Sequence, residues 1–268
     1  MKNKIKLELR RNPISFIFFF IGFAIIVFVV GTLFNMLYKQ LIVSPTYFIA
    51  ILKDQYVLKS IGLTLYASVL STILAVIFGI PLAYAIARNN FYGKNIIESL
   101  IDIPVIIPHT VAGIALFSLL SRRGTVGSIF GNLGIVFQDS LWGVVIAMFF
   151  VSYPLFVNSA KEGFISVNPN FERVARTLGA SQWKSFYQIA IPLSYHNLIS
   201  GAIMSWARGI SEFGAVVVIA YYPMIASTLI FYRFNTGGLQ ESQPIAVLLI
   251  LLCFVIFVFL RLISKKKG

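Results

Sequence analysis

The feature that most restricts the fold is a run of 25 uncharged residues, 14–38, which follows five basic residues at the start of the chain. About 20 consecutive apolar residues are enough for a helix to cross the hydrocarbon layer of a bilayer. This run is too long for the core of a signal peptide, and no small-x-small cleavage site follows it. We therefore predict an uncleaved first transmembrane helix.

The rest of the chain has the composition of a membrane protein, since 58% of the 268 residues are hydrophobic and only 12% are charged. A soluble domain of this length needs a charged surface, whereas a membrane domain exposes apolar side chains to lipid. We predict an all-α integral membrane fold with six transmembrane helices. The predicted spans lie near residues 14–37, 60–87, 99–120, 141–160, 197–221 and 244–260.

The distribution of basic residues predicts the orientation of these spans. The side that holds both termini carries 15 Lys and Arg residues, and the opposite side carries 6, although the loops on the two sides are of nearly equal length. By the positive-inside rule, both termini are cytoplasmic in a multi-pass protein of the cell membrane. The net charge of +13 resides in short flanking segments, so we predict contact with the lipid bilayer and none with nucleic acid.

Polar and kink-forming residues inside the predicted spans are the candidates for a translocation pathway. Pro104 and Pro108 predict a kinked third helix, which either lines a pathway or packs between other helices. His109 follows the second proline and has no partner at metal-ligand spacing, so we predict no metal site. Arg208 and Glu212 lie four residues apart, which predicts an ion pair on one helix face. The pathway candidates are Pro108, His109, Arg208 and Glu212.

Cys253 is the only cysteine, and it lies in an apolar run. A single cysteine excludes an intrachain disulfide and a Cys-based metal site. We therefore interpret Cys253 as a packing residue.

The loop between the fourth and fifth predicted spans, residues 161–196, contains a helix with clear ends. Asn168 is a suitable N-cap, Pro169 suits the first helical position, and Gly179 is where a left-handed C-terminal residue is expected. Four residues recur at helical spacing and predict one apolar face: Val167, Phe171, Val174 and Leu178. A second short helix is predicted from Ser181 to Pro192, carrying Trp183, Phe186, Tyr187 and Ala190.

Two interpretations of this helix pair remain open on the pattern alone. The helices either lie on the bilayer surface, as amphipathic helices do, or form a rigid docking element that transmits the motion of a partner to the two flanking spans.

The same loop resembles the cytoplasmic signature of type I ABC importer permeases, which reads Glu-Ala-Ala, three residues, Gly, nine residues, then Ile-x-Leu-Pro. Gly179 is followed after nine residues by Ile-Ala-Ile-Pro at 189–192, which matches except for Ile in place of Leu. The Glu-Ala-Ala positions hold Arg-Val-Ala at 173–175, with Glu172 one place early. The resemblance covers roughly residues 55–263.

Three further stretches, 103–113, 121–127 and 211–215, are similar to the molybdate, tungstate and sulfate permeases of that family. Residues 221–239 resemble the archaeal-type tungstate/molybdate branch in particular. The resemblance implies a permease for a tetrahedral oxyanion, with molybdate or tungstate favoured and sulfate or thiosulfate as the alternative.

The resemblance also implies an assembly of two permeases, two ATP-binding subunits and an extracytoplasmic oxyanion-binding protein. The chain has no phosphate-binding loop of its own, so ATP and Mg belong to the partner subunit, and the chain alone is no enzyme. Three regions follow: 1–54, with the first span and an external loop; 55–263, the type I transmembrane domain with its coupling helix pair; and the basic tail 264–268. The implied docking residues are Phe171, Glu172, Arg173, Val174, Ala175, Leu178, Gly179 and Ala180.

Arginines are the residues most suited to attract the implied anion. Arg122 and Arg123 lie in an external Gly-rich loop, where they either meet the binding protein or form a solvated turn. Arg208 either contacts the anion or only forms a structural ion pair with Glu212, and we favour the structural pair. A stand-alone secondary transporter is the rival class, but it predicts an inverted repeat or several intramembrane acids, and only Asp102 and Glu212 qualify.

Overall fold

The computed structural model describes residues 13–265, and over this range the chain contains helices and connecting segments but no strand. The first part consists of α1 (Pro13–Tyr38) with a π-helical turn (Lys39–Val43), α2 (Pro45–Lys53), α3 (Gln55–Arg88), α4 (Lys94–Ile106), α5 (His109–Leu120), α6 (Thr125–Asn132) and α7 (Leu141–Ser166). The second part consists of α8 (Pro169–Thr177), α9 (Gln182–Ser185), a second π-helical turn (Phe186–Ala190), α10 (Ile191–Leu193), α11 (Tyr195–Ile210), α12 (Gly214–Ile219) and α13 (Ala226–Lys265). The predicted N-terminal cytoplasmic segment before residue 13 and the end of the basic tail lie outside the described residues.

By length and composition, four helical segments within the described range are able to cross a membrane: Ile17–Val43, Gln55–Arg88, Leu141–Ser166 and Ala226–Val258. The bent pair α4 and α5 makes a fifth if it counts as one span. The all-helical membrane character of the chain is therefore confirmed, while the structure has four or five candidate spans where we predicted six.

The prediction of one kinked helix over residues 99–120 is wrong, because α4 and α5 are separate helices at an angle of 108°. Pro108 lies at the break, and the preceding Ile107 has an extended backbone with φ −73° and ψ 148°. A proline disfavours helical torsions in the residue before it and lacks the N–H that would continue the helix. Pro104 lies inside α4 without ending it.

The predicted fifth and sixth spans also differ from the observed helices. Residues 211–213 separate α11 from α12, so the apolar stretch 197–221 is not one helix, and α11 has only 16 residues. The last helix begins at Ala226, well before the predicted residue 244, and is interrupted at Gly238. Gly238 has φ 68° and ψ −155°, torsions that are readily available only to glycine.

The core of the described chain forms around α3, α7 and α11, which pack against one another. One polar link joins all three through small residues: the Ser152 hydroxyl lies 3.2 Å from that of Ser205 and 3.5 Å from that of Ser71. Small side chains allow membrane helices to approach closely, and their hydroxyls form hydrogen bonds between helices. This bundle is the base on which α8, α5 and α12 are held.

In contrast, α1 packs little against the rest of the described chain. Most of its side chains are exposed, with Phe18, Phe20 and Phe28 at 68%, 66% and 75%. Its link to α13 lies near its C-terminal end, where the Gln243 amide donates a hydrogen bond to the Met36 carbonyl at 3.4 Å. A helix that is apolar on all sides needs an apolar medium around it, which supports its assignment to the membrane.

Candidate functional site

The helix α8 begins as the sequence predicts. The Asn168 side chain accepts a hydrogen bond from the backbone N–H of Asn170 at 2.9 Å, and Pro169 occupies the first position. Val167 precedes this cap and is only 6% exposed. Val167 therefore anchors the start of α8 in the core and does not belong to its exposed apolar surface, which is a correction to the predicted face.

The C-terminal end of α8 also has the predicted form. Gly179 has φ 91°, and its N–H donates to the Arg176 carbonyl at 3.0 Å. The N–H of Ala180 donates to the Ala175 carbonyl, also at 3.0 Å. These two bonds form a Schellman motif, in which a left-handed glycine satisfies the last carbonyls of the helix. The short helix is thus capped at both ends.

The outer face of α8 is formed by Phe171, Val174 and Leu178. These side chains are 56%, 57% and 83% exposed, respectively. Arg173 is exposed beside them, and Ala175 and Ala180 are half-buried. The outer face is thus an apolar surface that the described part of the chain does not cover.

Glu172 points away from the outer face, although we predicted it among the docking residues. It is 6% exposed, and its Oε2 accepts a hydrogen bond from the Tyr84 hydroxyl at 2.5 Å. Its Oε1 accepts from Arg88 Nε at 2.8 Å and lies 2.7 Å from Arg88 Nη2. We call these three side chains the Glu172 tie. The tie holds α8 against the end of α3, a role that the sequence does not reveal.

The second predicted helix of the loop corresponds to α9, the second π-helical turn and α10, which together end at Leu193, one residue beyond the predicted end. Ser181 caps α9 by accepting a hydrogen bond from the Lys184 N–H at 3.2 Å, as expected for its start. The following π-helical turn shifts the hydrogen-bond pattern, so that the Ile191 N–H bonds to the Phe186 carbonyl. Pro192 then falls in the first turn of α10, where its missing N–H is tolerated.

A polar cluster of His109, Arg208 and Glu212 lies where the broken helices meet. Arg208 Nη2 lies 2.9 Å from Glu212 Oε2 and 2.7 Å from His109 Nε2. The predicted Arg208–Glu212 pair is therefore present, and the structure adds His109 from α5 to it. The Glu212 side chain is 1% exposed, whereas those of Arg208 and His109 are 24% and 41% exposed.

Glu212 also holds the start of α12. Its Oε1 accepts a hydrogen bond from the Ala215 N–H at 2.7 Å, which satisfies one of the free N–H groups of that helix. The Ser227 hydroxyl donates to the Glu212 backbone carbonyl at 2.9 Å. The Glu212 carboxylate thus binds the Ala215 N–H, which would bond to the Ser211 carbonyl in a continuous helix, and so stabilises the break at residues 211–213.

The remaining predicted residues lie apart from the polar cluster. Arg122 and Arg123 are exposed in the turn between α5 and α6. Asp102, the other acid predicted within a span, accepts a hydrogen bond from the Asn158 amide at 2.7 Å and joins α4 to α7. Within the described chain, no group of His, Cys, Asp and Glu has a metal-binding arrangement.

We predict that Gly113→Ala lowers the stability of the bundle by about 2 kcal/mol, measured as a fall in the thermal unfolding temperature in detergent. A Cβ atom at Gly113 would lie 2.9 Å from the Ala215 carbonyl oxygen and 2.8 Å from Val218 Cβ. The matched control is Gly62→Ala, because nothing lies within 4 Å of a Cβ at that helical glycine. Equal unfolding temperatures for the two variants would contradict the close packing of α5 on α12.

Comparison with known proteins identifies the family of this chain. Residues 75–268 match the family described as the binding-protein-dependent transport system inner membrane component. The chain belongs to this family. It is thus the permease subunit of an ABC importer, in which a separate subunit hydrolyses ATP.

The permease is 41% identical over 264 residues to the molybdate/tungstate transport system permease protein WtpB of Pyrococcus furiosus, with 97% of this chain and 99% of that relative covered. It is 32% identical over 199 residues to a probable sulfate transport system permease protein, cysT, of Chlorokybus atmophyticus, with 72% and 70% covered. A bacterial alginate ABC transporter, solved in complex with a periplasmic protein that holds an alginate pentasaccharide, has a similar chain. Its TM-score is 0.75 at 19% identity, with 97% of this chain and 96% of that chain covered, and this likeness concerns the fold alone.

Proposed function

We propose that this permease translocates molybdate or tungstate across the cell membrane by alternating access. The observation that carries the proposal is the 41% identity to the Pyrococcus furiosus protein over nearly the whole of both chains. The match to the sulfate relative is weaker and covers less of the chain, so sulfate or thiosulfate is the second candidate. Membership of an importer family removes the stand-alone secondary transporter from consideration.

In the proposed assembly, two copies of this chain join two ATP-binding subunits, which hold ATP and Mg, and an extracytoplasmic oxyanion-binding protein. The outer face of α8 is proposed to dock on the ATP-binding subunit. Two properties support docking over a position on the bilayer surface: α8 is capped at both ends, and the Glu172 tie holds it to the bundle. A rigidly held helix transmits a displacement, which a loosely attached surface helix does not.

The proposed topology keeps six spans, with both termini in the cytoplasm. Two of the six are then broken spans, one formed by α4 and α5 and the other by α11 and α12. Breaks at membrane depth are tolerated where the backbone is buried in protein or lines a cavity. Arg122 and Arg123, exposed after α5, are proposed to meet the binding protein.

In the proposed pathway, His109 and Arg208 present partly exposed polar groups beside Pro108 at the two breaks. Glu212 compensates the charge of Arg208, which favours a structural role for the pair over direct binding of a doubly charged anion. We therefore assign selection of the anion to the binding protein.

The proposal is tested by the ATPase activity of the reconstituted complex with its binding protein loaded with molybdate, tungstate or sulfate. We expect stimulation of about tenfold by the first two forms, because a closed, loaded binding protein favours the active assembly through a coupling free energy of about 1–3 kcal/mol. The unliganded binding protein is the control. Equal stimulation by the sulfate-loaded form would overturn the assignment to molybdate and tungstate.

A further inference from the structure

The Glu172 tie has a place in the energy coupling of the importer. We propose that Tyr84 and Arg88 are positioning residues which, through Glu172, fasten α8 to the end of α3. A displacement of α8 by the ATP-binding subunit then reaches the spans and is not absorbed by the loop. This inference rests on the proposed docking of α8.

The covalent connections of α8 are not enough to fix its orientation. Only Val167 and Asn168 join it to α7, and residues 178–181 join it to α9. The tie adds an attachment in the middle of α8, where both carboxylate oxygens of a nearly buried glutamate are bound by α3 side chains. Charge-assisted hydrogen bonds of this kind are shorter and stronger than neutral ones. The tie therefore limits rotation of α8 about its own axis.

Arg88 connects a third helix to the tie. Its Nη1 donates a hydrogen bond to the Phe164 backbone carbonyl in the last turn of α7 at 2.8 Å. A cation near the C-terminal carbonyls of a helix is also favoured by the helix dipole. Through one guanidinium group, α8 is thus joined both to α3 and to α7, two of the three helices that form the core.

The aromatic ring of Tyr84 extends the same junction. It packs edge-on against Phe164 with ring centroids 5.3 Å apart, and against Phe186 of the second π-helical turn at 4.7 Å. The Ser185 hydroxyl donates to the Glu172 backbone carbonyl at 3.2 Å. Both parts of the coupling helix pair therefore meet the end of α3 at these side chains.

A second interhelical ion pair provides a control that does not touch α8. Lys161 Nζ lies 3.6 Å from Glu98 Oε2 and joins α7 to α4, with side chains 16% and 30% exposed. Removing its charge by Lys161→Gln tests whether any lost ion pair at the end of α7 impairs coupling.

The experiment compares Glu172→Gln, Arg88→Gln and Tyr84→Phe with Lys161→Gln in the complete complex in proteoliposomes. Three quantities are measured: retention of the ATP-binding subunit on co-purification, ATP hydrolysis, and anion uptake per ATP hydrolysed. We expect Glu172→Gln and Arg88→Gln to retain the subunit and hydrolyse ATP while uptake per ATP falls about tenfold or more, because a coupling free energy of about 1–3 kcal/mol is lost. Tyr84→Phe keeps the ring contacts and loses one hydrogen bond, so its uptake per ATP should fall by a smaller factor.

Arg88→Lys distinguishes a defect in coupling from a defect in folding. It keeps the positive charge and should therefore restore part of the uptake per ATP that Arg88→Gln loses. Unchanged uptake per ATP in Glu172→Gln and Arg88→Gln would overturn the proposal, as would an equal loss in Lys161→Gln. Loss of the ATP-binding subunit from Glu172→Gln would also overturn it, by making Glu172 a docking contact. A separate variant tests the docking proposal on which this inference rests. If the outer face of α8 is not the docking surface, Val174→Asp leaves the complex with the ATP-binding subunit intact.

Discussion

A permease that carries both Val174→Asp and Leu178→Asp should lose its ATP-binding subunit during co-purification while its own fold is kept. The two side chains are 57% and 83% exposed in the permease, so charges there cost little before assembly. In the docked state the outer face would be covered, and an unpaired buried carboxylate costs about 3–5 kcal/mol. Even the lower of these values weakens binding by more than about 100-fold.

The matched control is Lys184→Asp, which changes the charge of an exposed position in the same loop outside the outer face. Size-exclusion chromatography of the free permease checks that each variant is folded. A deletion of residues 167–188 provides a cruder test of the same interface. If the double variant or the deletion still binds the ATP-binding subunit, the outer face of α8 is not the docking surface.

The second large effect is expected from Arg208→Met, which should lower the free energy of unfolding by about 3–5 kcal/mol. The substitution leaves the Glu212 carboxylate, which is 1% exposed, without its cation. The Ala215 N–H would remain as a hydrogen-bond donor to that carboxylate, and His109 Nδ1 lies 3.8 Å away. Thermal unfolding of the purified permease in detergent measures the loss.

The double variant Arg208→Met with Glu212→Gln should recover most of this stability. A neutral amide at position 212 still accepts from the Ala215 N–H but no longer requires a cation, so the two effects are non-additive. Arg122→Met serves as the control, because a substitution at an exposed arginine is expected to change stability by no more than about 0.5 kcal/mol. If Arg208→Met and Arg122→Met unfold at the same temperature, the polar cluster does not stabilise the helix breaks.

Local sequence patterns predicted those features that depend on neighbours along the chain. The caps at Asn168 and Gly179 and the Arg208–Glu212 pair each involve residues at most five positions apart, and the structure contains all three. The long apolar runs likewise correspond to α1, α3 and α7. These features follow from helix geometry alone.

The contacts of Glu172 do not follow from the sequence, because they join distant segments. The docking role of Glu172 is implied by the family signature alone, and its contacts with Arg88 and Tyr84, 84 and 88 positions away, do not show in the loop sequence. The only sequence signal for this contact is that Tyr84 and Arg88 lie four residues apart, on one helix face, at the polar end of an apolar run. The break after α11 was missed for a different reason: hydropathy does not show that the Glu212 side chain binds a backbone N–H.

The break between α4 and α5 has a consequence for the mechanical properties of the fold. The last backbone bond of α4 runs from the Ile107 N–H to Ile103, and the first of α5 runs from Ala112 to the Pro108 carbonyl. The backbone torsion angles at the junction of residues 107 and 108 can therefore change without breaking a hydrogen bond of either helix. Torsional stiffness at this point therefore comes from side chains on either side: the Asp102–Asn158 bond on the α4 side and the polar cluster on the α5 side.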